Sequence, residues 1–209
     1  IKYIMNGGNI STEGVMVPLE WMYYANDTWH FNDIVDQFSN KVEMNFPTFS
    51  ILKSKVYLPY FKKIKVIRPL NLIRYVKEEA EKTLSEEYGF LPFKNKHYES
   101  VFTRFNEGYW LPRKFNYDTR KVTFSSLILT GQMTRDQALR KLSKSDLTEE
   151  EWVHEKNFIV KKLKISSEEF EGYFNLKNRS FRDYKNLSLL YSFGARFLNL
   201  IGGEFSIKK

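Results

Sequence analysis

Two short apolar runs predict β-strands in the first third of the chain. Residues 1–5 (IKYIM) lead into the sequence NGGN, where glycine permits the positive φ of a tight turn. Residues 65–67 (KVI) form the second run. Residues 46–60 lie between the two runs, and their prolines, Pro47 and Pro59, predict irregular structure there.

Apolar residues at helical spacing predict two helices beside these strands. Residues 32–37 form the first, with Ile34 and Val35 on one side. A longer helix is expected to begin after Asn71, a favoured N-cap residue, and to end at Gly89, which suits the left-handed position after a helix. The apolar stripe of this second helix consists of Ile73, Val76, Ala80 and Leu84.

Three capping boxes predict three separate helices in the second half of the chain. In a capping box, a Ser or Thr stands three positions before Glu or Gln, and each side chain bonds the other residue's backbone N–H. The pairs are Thr134 with Gln137, Thr148 with Glu151, and Ser166 with Glu169. With strands early and helices late, the predicted fold class is α/β, namely the trailing edge of a sheet followed by a mostly helical lobe.

Composition and charge limit the classes of function. The sequence has no cysteine, which excludes a disulfide scaffold and a thiolate metal site within these residues. It also lacks a G-x-S-x-G motif, a P-loop lysine motif and a dinucleotide glycine fingerprint. The net charge of +8 either attracts polyanions or forms a solvated basic surface. Without a bilayer-length apolar run or a leader segment, a cytoplasmic protein is expected.

The densest candidate chemistry lies between residues 94 and 135, where polar side chains alternate with aromatic ones. Arginine offers a planar fork and lysine a mobile point charge for phosphate or carboxylate groups. The polar residues include Lys94, Lys96, His97, Glu99, Ser100, Thr103, Arg104, Lys114, Asp118, Arg120, Lys121, Ser125 and Ser126. A charged surface threaded with core aromatics is the simpler interpretation of the same pattern. Imidazoles transfer protons near neutral pH, and Glu99 would orient His97 in an extended segment.

A second candidate site follows the first predicted strand. Asn9, Thr12 and Glu13 come after the glycine turn. Open α/β sheets present ligand sites where strands end, although an ordinary strand-to-loop turn explains the pattern equally simply.

Several segments, taken in order, resemble the N-acetyl sugar amidotransferases, which are PP-loop ATP pyrophosphatases of bacterial surface-polysaccharide pathways. The segments NGGNISTEG (6–14) and VIRPLNLIRYVKEEAEKTL (66–84) would suit several PP-loop enzymes. Residues 94–139 are more specific, with Lys-His-x-Glu-Ser, Phe-Thr-x-Phe, Lys-Phe-x-x-Asp-x-Arg-Lys, Ser-Ser-Leu-Ile and Gly-Gln-x-Thr-Arg elements. Residues 160–174 (VKKLKISSEEFEGYF) resemble a later element of the family.

The family's Ser-Gly-Gly-x-Asp-Ser pyrophosphate loop and its paired cysteines are absent from this chain. Both are expected upstream of Ile1, so a truncated chain is the expected explanation. The resemblance then implies two parts. Residues 1–88 would be the C-terminal part of a PP-loop domain with a Rossmann-type parallel sheet, and residues 89–209 a helical lobe for substrate or partner.

The resemblance also implies a reaction. ATP would adenylate the oxygen of a sugar acetamido group, ammonia would attack the activated carbon, and AMP would leave an acetamidino group. The implied cofactors are ATP and Mg²⁺. The implied partners are a nucleotide-linked N-acetyl sugar and a separate glutaminase that supplies ammonia. Neither a membrane nor a nucleic acid is expected as a partner, and a homodimer is left open.

Site residues follow from the resemblance by position. The catalytic candidates are Lys96, His97, Glu99 and Asp118. The substrate- or phosphate-binding candidates are Ser100, Arg104, Lys114, Arg120, Lys121, Ser125 and Ser126. The nucleotide-binding candidates are Asn9, Thr12 and Glu13, and no metal ligand is assigned. His97 or Glu99 would receive protons from ammonia, and Asp118 would orient Arg120 or Lys121.

Two alternatives from other classes of function remain open. A tRNA-modifying PP-loop enzyme, or a fragment that only binds RNA, would present an open basic stripe with stacking aromatics. A non-catalytic docking domain would expose a large apolar patch. Residues 187–201 are apolar enough for such a patch, although a core or dimer-forming helix is the expected identity of this segment.

Overall fold

A computed structural model describes residues 1–39, 47–93 and 96–200 of the chain, with side chains described as far as residue 194. The protein is α/β with mostly helical content and a small parallel sheet of two strands. The strands are Tyr3–Met5 (β1) and Lys65–Ile67 (β2), so both predicted strands are confirmed. Lys65 N donates to Lys2 O and Asn6 N to Ile67 O, each at 2.9 Å, which is the slanted ladder of a parallel pair.

Helices account for most of the described residues. The α-helices are α1 (Ile10–Glu13), α2 (Thr28–Phe38), α3 (Lys77–Tyr88), α4 (Val101–Phe105), α5 (Arg120–Leu129), α6 (Arg135–Leu142), α7 (Glu149–Leu163), α8 (Ser167–Asn175) and α9 (Ser188–Leu200). Lys53–Phe61 and Asn106–Phe115 form π-helices, and Pro69–Asn71 and Phe181–Asp183 form 3₁₀ turns. Across the described ranges, none of the helices has the combined length and hydrophobicity that crossing a bilayer requires.

Local sequence signals predicted helix ends well. All three capping boxes are formed, at Thr134, Thr148 and Ser166, and each opens the predicted helix. Gly89 ends α3 with φ of 66°, where its missing side chain avoids the steric cost of the left-handed region. Helix ends that are set by residues within one turn can therefore be predicted from the sequence alone.

Two local predictions were wrong. Asn71 does not cap α3, whose N-cap residue is Val76; instead, Asn71 Oδ1 accepts a bond from Ile10 N at 2.9 Å. The amide thus serves a long-range contact rather than a helix start. Residues 47–50 are irregular as predicted, but the later part of the segment is not, because Pro59 lies inside the π-helix Lys53–Phe61. A π-helix places residues four and five positions apart on one face, a period that differs from those of the α-helix and the β-strand.

The described chain divides into two compact units. Tyr3–Trp21 and Val66–Asn178 form the first, and Met22–Lys65 with the described residues from Arg179 onward form the second. The first unit contains residues from before and after residue 88. The domain boundary predicted between residues 88 and 89 stays a prediction.

The first unit has two apolar cores. One contains Phe105, Ile159, Val160 and Phe170, which join α4, α7 and α8. The other joins α5 to α6 through Phe124, Leu127 and Ala138. The chain after α1 is fixed to α5 by Val15 N, which donates to Ser126 Oγ at 3.0 Å. This bond holds the start of the chain against α5, which lies within residues 94–139.

The second unit is organised around the buried carboxylate of Asp27. This side chain caps α2 by accepting bonds from the backbone N–H groups of Trp29 (3.0 Å) and His30 (3.2 Å). It also accepts the Tyr23 hydroxyl at 2.7 Å and Leu187 N, just before α9, at 2.6 Å. Burial, followed by the bond to Asp27, raises the pKa of Tyr23. One carboxylate therefore joins α2 to the approach to α9.

The segment 187–201 is confirmed as helical over α9. Tyr191 is buried against Tyr24, with ring centroids 4.3 Å apart, and burial raises the pKa of Tyr191 to about 12. Leu189, Leu190 and Phe193 are exposed. The side chains of Phe197, Leu198 and Leu200, and all of Ile201, lie outside what the structure describes.

His30 makes the stability of the second unit depend on pH. Burial lowers the pKa of His30 despite the opposing effects of Asp27 and Asp33, and its Nε2 has no bonding partner in the described structure. Between the unfolded and folded pKa values the unfolded chain binds more protons, so the free energy of unfolding should fall as pH drops below about 6.5. Urea titrations of the wild type and His30→Gln across this range measure the effect.

The pH effect should be absent from a matched variant of an exposed histidine. His154 lies exposed on α7, so His154→Gln should keep the wild-type slope of stability against pH, whereas His30→Gln should flatten it. Equal slopes in both variants would show that His30 does not carry the effect.

Candidate active site

The carboxylate of Glu107 is the centre of the candidate site. Glu107 lies in the π-helix Asn106–Phe115, and its Oε1 lies 3.1 Å from Nδ1 of His97. Its other oxygen, Oε2, accepts the Thr119 hydroxyl at 3.3 Å. The Glu107 side chain is 19% exposed and that of His97 50% exposed. A mostly buried carboxylate therefore holds a solvent-accessible imidazole in a fixed orientation.

The partner of His97 corrects the sequence-based prediction. Residues 96–99 form a turn rather than an extended segment, and the exposed Glu99 is not the residue that orients the imidazole. His97 has a left-handed backbone with φ of 67°. Such a conformation is uncommon outside glycine and occurs disproportionately at functional sites. Glu107 was missed because it lies ten residues along the chain, beyond any local pattern.

Gly108 allows the chain to pass close to the core beside this carboxylate. A Cβ atom at this position would lie 2.5 Å from Trp152 Cη2 and 2.8 Å from the Tyr98 hydroxyl. Trp152 is 1% exposed and is fixed by its Nε1–H, which donates to Ser145 Oγ at 3.2 Å. Glycine is therefore required by close approach rather than by positive φ.

Gly108→Ala should lower the free energy of unfolding by about 1–3 kcal/mol, because the buried indole cannot move without repacking. Gly172→Ala is the matched control, since that glycine lies in α8 with open space around it. The control should be neutral or stabilising by up to about 1 kcal/mol. Denaturant titration measures both variants, and equal stability of the two would contradict the close contact.

A cavity of about 210 Å³ opens beside Glu107. Its charged lining comprises Glu107, Arg113, Asp118, Arg120, Lys144 and Asp146. Both signs of charge are present, so the cavity suits a polar ligand that carries both hydroxyl and anionic groups.

Arg120 is saturated by protein acceptors. Its Nε donates to Asp118 Oδ1 at 3.0 Å, and its terminal nitrogens bond Asp118, Asp146 and the carbonyls of Leu142 and Lys144. Bonding to Asp118 is the main reason that the pKa of Arg120 is raised. A guanidinium has five N–H donors, and here five directions are occupied. Arg120 thus joins the start of α5 to the segment after α6.

Arg104 and Lys114 are likewise engaged within the fold. Arg104 Nε donates to Glu155 Oε1 at 2.6 Å, which ties α4 to α7. Lys114 Nζ donates to the carbonyls of Phe174 at 2.6 Å and Leu176 at 2.8 Å. It thereby closes the C-terminal end of α8, where a cation is favoured by the helix dipole.

The remaining predicted residues are distributed along the elements around α1, α4 and α5. Asn9 caps α1 by accepting from Thr12 N at 2.9 Å, and Ser100 caps α4. Glu13 forms an ion pair with Lys96. Ser126 is buried, Ser125 is half-buried and Lys121 is exposed on α5, while Lys94 lies outside the described residues.

The fit of these residues to the expected cofactors is incomplete. Three cations predicted to bind phosphates, namely Arg104, Lys114 and Arg120, have their donors directed at protein acceptors. Within the described ranges, no three His, Asp or Glu side chains are grouped to hold a metal ion. These three cations therefore stabilise the fold in this structure.

A comparison with known protein families supports the resemblance seen in residues 94–139. Residues 99–198 match the family described as LPS biosynthesis protein WbpG-like, C-terminal domain. The resemblance expected from the sequence is confirmed for this C-terminal portion, and the family indicates a role in lipopolysaccharide or related surface-glycan biosynthesis. The matched range includes Glu107 and the charged cavity, and His97 lies two residues ahead of it. No curated protein and no solved structure matches the chain.

Proposed function

We propose that this chain is part of an ATP-dependent amidotransferase that converts the acetamido group of an N-acetyl sugar to an acetamidino group in surface-glycan biosynthesis. The WbpG-like match and the motifs between residues 94 and 139 support this proposal. The proposed cofactors are ATP and Mg²⁺, and the proposed partners are a nucleotide-linked sugar and a glutaminase that supplies ammonia. Because Arg104, Lys114 and Arg120 donate to protein acceptors, we assign the described site to the sugar and the proton.

The small sheet supports the proposed fold relation. Parallel sheets are usually covered on both faces, whereas Ile4, Met5 and Val66 are exposed on this parallel strand pair. Such a sheet suits a larger PP-loop-type sheet with further covering elements. We propose on this basis that β1 and β2 correspond to its trailing strands.

His97 is the proposed proton acceptor. If Nδ1–H donates to Glu107, then Nε2 of this half-exposed imidazole carries the free lone pair. An ammonia nucleophile loses protons as its new C–N bond forms, and a positioned imidazole can accept one. The carboxylate stabilises the resulting imidazolium, while Thr119 holds the second carboxylate oxygen in place.

The cavity is the proposed position of the sugar. Carboxylates accept bonds from sugar hydroxyls, and cations pair with phosphates of a nucleotide-linked sugar. Asp118 and Asp146 supply the first kind of group, while Lys144 and Arg113 supply the second. Arg113 lies over the Tyr109 ring, 4.3 Å from its centroid, and one of its terminal nitrogens pairs with the exposed Glu149, which leaves Lys144 as the freer cation.

The observation that carries the proposal is the His97–Glu107–Thr119 chain beside a charged cavity in a WbpG-like domain. The test mixes the protein as its gene encodes it with ATP, Mg²⁺, ammonium and a panel of nucleotide-linked N-acetyl sugars, and follows AMP and pyrophosphate. Release that requires both sugar and ammonium is expected. Release stimulated instead by tRNA would favour the RNA-modifying alternative, and release indifferent to either acceptor would contradict the proposal.

A further inference from the structure

The π-helix Lys53–Phe61 exposes an apolar face in the second unit. Residues four and five positions apart share a face of a π-helix, because each N–H bonds the carbonyl five residues back. Leu52, Val56, Tyr57 and Phe61 follow this spacing, and Tyr60 adjoins them. All five are exposed, Leu52 by 68% and Phe61 by 72%. A face of this kind is uncommon on a protein that contacts only water.

The opposite face holds the segment in place. Ser54 lies on that face, and its Oγ accepts a bond from Asn26 Nδ2 at 3.3 Å. Asn26 Oδ1 in turn accepts the Tyr191 hydroxyl at 3.3 Å. Because these contacts fix the inner face, the apolar residues point outward as a feature of the fold.

The segment that carries the apolar face is rich in lysine. Residues 47–65 contain five lysines and no Asp or Glu. Lys53 Nζ lies 5.8 Å from the Phe49 ring centroid, and Lys62 Nζ lies 5.6 Å from that of Tyr57. Lysine stems can thus cover apolar side chains while the ammonium groups stay in water. We call the exposed side chains between residues 49 and 65 the basic apolar surface.

We propose that the basic apolar surface binds an anionic lipid membrane by lying in its headgroup region. Interfacial segments combine lysine with aromatic and aliphatic residues, and tyrosine rings settle at the headgroup level. Each lysine near an anionic leaflet adds attraction. This contact needs no spanning helix, does not depend on the proposed reaction, and revises the expectation that no membrane is a partner.

The same surface suits lipid better than nucleic acid. Single-stranded nucleic acid binds through bases that stack on open aromatic faces. Here Tyr57 and Phe61 stack on each other, with centroids 6.0 Å apart and planes inclined by 22°. Leu52 and Val56 offer no π-face, whereas both can enter the acyl boundary of a membrane. The aliphatic side chains of the basic apolar surface therefore favour lipid over nucleic acid as its ligand.

Vesicle co-sedimentation of the full chain tests the proposal. We expect binding to vesicles of phosphatidylethanolamine with phosphatidylglycerol, little binding to phosphatidylcholine vesicles, and weakening with salt. Lys53→Gln with Lys62→Gln should lower the partition coefficient about 25-fold, at about fivefold per lysine. Leu52→Ser with Phe61→Ser should lower it about tenfold or more. Circular dichroism of each variant checks that the fold is kept.

The control pair is Lys141→Gln with Lys161→Gln, which removes the same charge from exposed positions on α6 and α7. It should change binding by less than about twofold. Equal loss in the control pair would assign binding to net charge and overturn the proposal. So would absence of binding at low salt, or an oligouridine RNA that binds through Lys53 and Lys62 and is not displaced by the anionic vesicles.

Discussion

Arg120→Ala should lower the free energy of unfolding by about 3–5 kcal/mol, because it removes one partner from a largely buried charge network. The side chains of Arg120, Asp118 and Asp146 are 17%, 18% and 12% exposed. Without the guanidinium, Asp118 and Asp146 would lose the cation that pairs with them, and the carbonyls of Leu142 and Lys144 would each lose a donor. Arg120→Lys should recover only part of the loss, since an ammonium cannot reproduce the bidentate fork to Asp118.

Lys121→Ala is the matched control for this prediction. Lys121 is the next residue on α5, carries the same charge and is exposed. Its replacement should change stability by less than about 0.5 kcal/mol. Denaturant titrations of the three variants give the comparison. If Arg120→Ala were as stable as Lys121→Ala, the network would not hold the fold, and the guanidinium would be available for a ligand after all.

The contrast between Arg120 and Lys121 also shows what sequence patterns can predict. Both residues belong to one Arg-Lys element, and both were expected to bind phosphate. Their environments differ because acceptors from residues 142–146 reach only Arg120. A local motif gives the type of side chain, whereas contacts more than twenty residues apart decide whether its donors are available.

Elements with local causes were predicted well. The three capping boxes and Gly89 depend on residues within one turn, so their signals are complete in the sequence. The π-helices were not predicted, because their period differs from those of α-helices and strands. The partners of Lys114 were not predicted for another reason, since they are the carbonyls at the end of α8, about sixty residues away.

The candidate site likewise combines features that local sequence predicts with features that depend on the fold. His97 was predicted as a proton-transfer residue from its chemistry alone, and that role stays a proposal. Its orienting partner required the fold, because the turn at residues 96–99 directs the imidazole toward Glu107. The left-handed backbone of His97 belongs to the same turn and has no local sequence signature.

If His97 accepts the proton from the nucleophile, His97→Gly should lower kcat about 10²- to 10⁴-fold, the usual contribution of general base catalysis. Glycine is the informative replacement because the left-handed φ of 67° suits it, so the backbone should keep its course. The half-exposed imidazole leaves a space that solvent can reach. Added imidazole should therefore restore part of the lost rate, measured as AMP release with sugar and ammonium.

Glu107→Gln tests whether the Glu107 carboxylate sets the tautomer and orientation of His97 or only contacts the ring. A glutamine amide can donate to Nδ1 and force the imidazole proton onto Nε2, where it blocks proton acceptance. The rate should fall about 10²-fold or more, while Glu99→Gln, which changes an exposed neighbour, should leave it within about twofold. Imidazole should not rescue Glu107→Gln, because the native ring still occupies the site. Rescue of both variants, or a loss confined to Glu99→Gln, would remove the His97–Glu107 pair from the proton path.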